Sequence, residues 1–267
     1  MKTLFADLAG DLDGEPDHGT PLVLLHGLTF DRTMWRPALA ELAELDPGRQ
    51  VLTLDLPGHG GAPAWPSYDL ESVARAVYRG VGEAGLQPPV LAGHSIAAVI
   101  ATIYAARYPA SGVVNVDQPL QVEPFVRLVQ SLAGPLRGPG FEQVWEQFEA
   151  SMGIGLLPSA AQELLQSSRY VRQDLVTGYW SEALEVPPEE LAARAADSLA
   201  AVRDAKVPYL VVAGHDAGPE YMSWLNQMLP QASVTVWPGS GHFPHLAQPR
   251  RFAGVLADTA GWPETSR

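Results

Sequence analysis

No cysteine occurs among the 267 residues, so disulfides, thiolate metal sites and cysteine nucleophiles are excluded by composition. Basic side chains are scarce: 17 Lys and Arg stand against 30 Asp and Glu, a formal charge of -13. A surface of that sign repels nucleic-acid phosphates and anionic membrane faces, so neither is an expected partner. No apolar run approaches the roughly 20 residues that cross a bilayer. Asp7 interrupts the first ten residues, where a signal peptide would be uniformly apolar. The expectation is a cytoplasmic protein. Internal repeats and low-complexity tracts are also missing, which argues against a solenoid or a long disordered tail.

What is present is enough apolar side chain, 46% of the sequence, to bury one large core. Short apolar runs read as buried strands at Pro21–Leu25, Val51–Leu54, Pro89–Ala92, Gly112–Val116, Tyr209–Ala213 and Ser233–Trp237. All but the last two lead through a turn into a helix-like stretch. Strand, turn and helix in repetition predict an α/β fold: a mostly parallel sheet with helices on both faces. Leu4–Leu12 reads as an antiparallel edge strand.

Between Asp117 and Lys206 no strand pattern appears. Amphipathic segments at Pro124–Leu132, Phe141–Met152, Ala160–Leu184 and Glu189–Val202 read as helices, broken at Gly134-Pro135, Gly138-Pro139 and Pro187-Pro188. The organisation expected is a core of 1–117 and 207–267 with a helical insertion, 118–206, capping the carboxyl edge of the sheet.

The most informative stretch is Val-Leu-Ala-Gly93-His94-Ser95-Ile96-Ala97-Ala98, a strand passing through small residues into an apolar helix. Gly93 and Ala97 leave room for a sharp turn that projects the Ser95 hydroxyl while the helix N-terminus aims its free N–H groups at the same spot. A hydroxyl is a weak nucleophile at neutral pH and needs a base. Histidine is suited to that role, and His242 lies in the Gly-rich loop Pro238-Gly-Ser-Gly-His-Phe-Pro-His245 just after the last strand, with His245 as a lesser alternative.

The landmarks, His26-Gly27 through Ser95 to His242, resemble the α/β-hydrolase family over nearly the whole chain. The resemblance implies a serine hydrolase without metal or organic cofactor. It also implies an oxyanion hole made by the backbone N–H groups of Leu28, after the His-Gly turn, and Ile96, after the serine. His26 is expected to brace its loop, and Asp55-Leu-Pro-Gly-His-Gly60 to form a structural turn.

For the carboxylate that orients the histidine, two residues compete. The family commonly places it three residues beyond a Gly after the penultimate strand. Asp216 lies two beyond Gly214, and Ala217 holds the expected place. Asp117 ends the run Gly112-Val-Val-Asn-Val-Asp, similar in register to the strand end used by haloalkane dehalogenases, and is preferred. Those relatives, like epoxide hydrolases, use an aspartate nucleophile, which Ser95 replaces.

The insertion carries Phe125, Phe141, Trp145, Phe148, Met152 and also Tyr170, Tyr179 and Trp180. Most of these can pack the insertion itself. Trp145, Phe148, Tyr179 and Trp180, with Gln118 at the insertion's start, are the candidates for substrate contact. They favour a small-molecule ester with an apolar or aromatic group. Lactonase, thioesterase, carbon-carbon bond hydrolase, cofactor-free haloperoxidase and acyl transfer share the same residues, and a noncatalytic ligand-binding protein is the alternative of another class.

Overall fold

The computed structural model describes residues 5–9, 19–86 and 88–261. Seven strands, β1 (Phe5–Ala9), β2 (Leu22–Leu25), β3 (Val51–Asp55), β4 (Val90–His94), β5 (Gly112–Val116), β6 (Tyr209–Ala213) and β7 (Ala232–Val236), form one sheet in the order β1-β3-β2-β4-β5-β6-β7. Every neighbouring pair is parallel except β1 with β3. The α/β expectation therefore holds, with strand ends shifted by a residue or so. Of the edge strand expected over Leu4–Leu12, Leu4 and residues 10–12 lie outside the described residues.

Helices α1 (Arg36–Leu45), α2 (Leu70–Glu83) and α3 (Ile96–Arg107) follow β2, β3 and β4. Between β5 and β6 come α4 (Glu123–Ser131), α5 (Ala133–Arg137), α6 (Phe141–Ser151), α7 (Ser159–Ser168), α8 (Gln173–Tyr179), α9 (Ser181–Glu185) and α10 (Pro188–Asp204). The chain closes with α11 (Gly218–Met228) after β6, then α12 (Pro244–Ala247) and α13 (Pro249–Asp258) after β7.

The strands read as continuous apolar runs because both sheet faces are covered. Alternate residues serve opposite cores. Val23 and Leu25 pack with α2, α3, α10 and α11 on one side, and Leu22 and Leu24 with α1 and α13 on the other. Helices do follow the last two strands, contrary to the sequence reading.

The single helix expected over Ala160–Leu184 is in fact three. Ser167 and Ser168 turn their hydroxyls back onto the Leu164 carbonyl, an alternative to continued backbone bonding. The Tyr170 N–H then leaves the helix to bond the Thr29 carbonyl at 2.7 Å. A short helix also runs through Gly134-Pro135, where a break was expected, because a proline in the first turn gives up no internal bond. No helix among the described residues is long and apolar enough to cross a membrane.

Candidate active site

Ser95 joins β4 to α3 with φ 55° and ψ -133°, a conformation that L-residues rarely adopt and that neighbouring contacts must hold. Its N–H donates to the Val116 carbonyl of β5 at 3.0 Å, and its own carbonyl accepts from Ala98 N–H at 2.8 Å. Gly93 is required for this turn: a Cβ there would lie 2.3 Å from the Ala97 carbonyl oxygen. Of the four described non-glycine residues with positive φ, Ser95 and Asp117 follow the adjacent strands β4 and β5, and Thr29 follows Leu28 in the loop after β2.

Asp117 leaves β5 at φ 57°, its N–H bonded to the Val212 carbonyl at 2.9 Å. Asn115 braces the turn from both sides, its Oδ1 accepting from Gln118 N–H and its Nδ2 donating to the Gln118 carbonyl. The carboxylate is thereby set between two partners: Oδ2 accepts from His242 Nδ1 at 2.7 Å and Oδ1 from Gly214 N–H at 2.7 Å. Burial opposes ionisation of Asp117, but His242 and the Gly214 N–H outweigh it and hold the carboxyl below its ordinary value.

Asp216 is exposed, and its Oδ1 accepts from Gly218 N–H at the entry to α11. Of the two aspartates, Asp117 alone is bonded to His242. Asp216, two residues beyond Gly214, bonds the first residue of α11 instead, while the strand end of β5 reaches the histidine.

With Nδ1 bonded to Asp117, His242 has no hydrogen bond at Nε2 among the described residues. Gly239 and Gly241, at φ 79° and 53°, shape its loop. The helical segment between β5 and β6 holds it as well: His242 N–H donates to the Met152 carbonyl at 2.8 Å. His245 is no substitute base. It is fully buried among Trp35, Phe252 and His94, away from the cavity, and burial lowers its pKa to about 3.

Three further histidines make positioning contacts, and sequence reasoning missed those of His59 and His94. His26 accepts from Leu56 N–H at 2.9 Å, and its Nδ1–H donates to the Gly27 carbonyl, so the brace expected of it is present and tied to the next strand. His59, read only as part of a turn, accepts from Thr29 N–H at 3.1 Å. His94 donates through Nε2 to the His242 carbonyl at 2.8 Å. Burial pushes His26 down, and His59 and His94 well down, so all three favour the neutral ring that such donor–acceptor roles need. The motifs contain these histidines, but their partners lie on loops far apart in sequence.

The amides of Leu28 and Ile96 donate to no protein acceptor among the described residues. Leu28, Ser95, Ile96, Asp117 and His242 border one cavity of about 1040 Å³. Gln118, Trp145, Phe148, Tyr179 and Trp180 also line it. Tyr179 spends its hydroxyl on the Pro57 carbonyl, and Gln118 its amide on the Pro119 carbonyl. Phe141 and Tyr170 lie off this wall, Tyr170 being half exposed. No group of three or more His, Asp or Glu side chains among the described residues is placed to hold a metal ion.

Residues 22–255 match the alpha/beta hydrolase family. The chain belongs to that family. This hydrolase is 31% identical over 250 residues to the biotin biosynthesis bifunctional protein BioHC of Cellvibrio japonicus, which covers 89% of this chain but only 47% of that protein. It is 22% identical to a pimeloyl-[acyl-carrier protein] methyl ester esterase of Yersinia enterocolitica, over 97% of this chain and 98% of the other. Among solved structures, a thermophilic esterase from Thermogutta terrifontis superposes with a TM-score of 0.60 at 24% identity, covering 96% of this chain and 92% of that one. An enol-lactonase from Burkholderia xenovorans superposes with a TM-score of 0.65 at 18% identity, covering 96% and 95%. At those identities the superpositions show the shared fold alone.

Proposed function

We propose that this hydrolase is a serine esterase that cleaves carboxylic esters bearing an apolar or aromatic group through an acyl-enzyme. The observation that carries the reading is the 2.7 Å bond from His242 to Asp117 in the same cavity that holds the strained Ser95 turn. In the reaction, His242 Nε2 takes the Ser95 proton as the oxygen attacks the ester carbonyl. Asp117 keeps the imidazole in the tautomer with hydrogen on Nδ1 and stabilises the imidazolium. The amides of Leu28 and Ile96 receive the developing oxyanion, a donor typically contributing about 2.7 to 4 kcal/mol to the transition state. His242 returns the proton to the leaving alcohol, and the same cycle run with water releases the acid. The helical insertion serves as a cap whose Trp145, Phe148 and Trp180 shelter the apolar group. Esterase relatives among the curated proteins support ester cleavage as the reaction class.

The test is a p-nitrophenyl acetate assay beside labelling with a fluorophosphonate. A p-nitrophenol release that disappears in Ser95→Ala, with the label on Ser95, is expected. Neither turnover nor labelling in the folded wild type would favour a noncatalytic ligand-binding protein.

A further inference from the structure

The cavity is larger than the chemistry at Ser95 needs. At about 1040 Å³ it stands at the upper end of the range for sites that take a drug-sized ligand. It also runs in a definite direction. Along α3, Ile96, Val99 and Ile103 all border it, and the seven-residue step from Ile96 to Ile103 spans about 10 Å at the rise of an α-helix. More of the wall comes from α10, which packs against α3 and adds the apolar Leu191, Ala195 and Leu199, with Arg194 and Ser198 beside them. The far limit is charged: Asp69, Glu71 and Glu182 border it, Glu71 being paired at 2.8 Å with Arg107 one turn past Ile103 on α3, and among the described residues the one guanidinium that itself borders the cavity is Arg194. That guanidinium is already occupied, bonded to Glu182 at 2.9 Å and to Glu190 at 2.5 Å.

Resting on the esterase reading, we propose that the substrate is an elongated ester. One of its two substituents is an apolar arm about 10 Å long lying along α3 and α10, and the arm ends in an uncharged or cationic group and not in a carboxylate. Its apolar walls reward length, because each methylene moved from water strengthens binding by up to about fourfold. The far end keeps an excess of carboxylates, Asp69, Glu71, Glu182 and Glu190 against the already paired Arg107 and Arg194, and so disfavours a terminal anion, to the extent that solvent does not screen it.

The experiment compares kcat/KM for p-nitrophenyl acetate and decanoate, where the arm is acyl, and for phenyl-free acetates of ethanol and decanol, where it is the alcohol. One of the two long esters is expected to exceed its short counterpart by at least about 30-fold, and the pair that does so identifies the arm. In Ala195→Trp, which places an indole in the channel, this long-to-short ratio should fall at least tenfold. A ratio needs only the fraction of enzyme that folds, and the wild-type length series stands without the variant. Within the preferred series, an arm ending in a hydroxyl or trimethylammonium group should outrun the same arm ending in carboxylate by about tenfold. Acetate turnover with no gain for either long ester, an unchanged ratio in Ala195→Trp, or a preference for the carboxylate would overturn the arm while leaving the serine esterase intact. Failure of every ester, with no fluorophosphonate label on Ser95, would remove the esterase reading itself.

Discussion

At the residue scale, two aspartates of similar sequence standing have different surroundings. Asp117 accepts from His242 and Gly214, whereas Asp216 sits in solvent at a helix entry. Asp117→Asn is expected to leave the ring held in the wrong tautomer and to lower kcat by about 10³ to 10⁴ with KM little changed. Asp216→Asn should stay within about twofold of wild type on the same ester. Ordinary kinetics in Asp117→Asn would remove it from the proposed machinery. The candidate serine, histidine and both aspartates were legible in sequence because each ends a strand or sits in a loop beside one. The supports His59 and His94 were not, because their partners, Thr29 and the His242 carbonyl, depend on which loops meet across the sheet edge.

Among elements, the loops that meet at the carboxyl ends of the strands leave little room between backbones. A Cβ on Gly214 would lie 1.7 Å from the Gly241 carbonyl oxygen, at the neck of the His242 loop, while one on Gly239 meets nothing within 4 Å. Gly214→Ala must therefore move backbone, and it is expected to abolish most ester turnover and to cost upwards of about 2 kcal/mol in urea denaturation. Gly239→Ala has space but keeps φ 79°, so its cost should be the strain alone, about 1 kcal/mol, with turnover largely retained. Equal effects of the two would show that space at Gly214 is not what matters. The strands and most helices were legible because burial on both faces writes an apolar run and a buried helix face writes a 3.6-residue period. The break at Ser168 was not. Beside the Ser167 and Ser168 hydroxyls, it depends on the tertiary bond from Tyr170 to Thr29, which no local period encodes.

Across the whole molecule, histidine burial governs the response to acid. His26, His59, His94 and His245 are all fully buried with lowered pKa values, burial being the first cause in each. For His245 the values are explicit. The unfolded chain takes up its proton near 6.5, and the native ring, lowered to about 3, stays neutral. Between those two pH values the unfolded state binds more protons, so stability rises with pH and is lost on acidification. Going from pH 7.5 to pH 5 should cost about 2 kcal/mol through this one ring. Asp117 acts in the same sense but only below the ordinary carboxylate range, so it does not contribute at pH 5. Relief of repulsion as the net charge of -13 is titrated works the other way, but over long, solvent-screened distances. His245→Phe keeps an aromatic ring against Trp35 and Phe252 and removes the proton site. Its unfolding free energy should therefore change less between pH 7.5 and pH 5 than that of wild type, by about 2 kcal/mol in chemical denaturation. The comparison reads a slope, so any repacking cost common to both pH values drops out. A variant with the wild-type slope would mean that the acid sensitivity lies with the other three histidines, His26, His59 and His94.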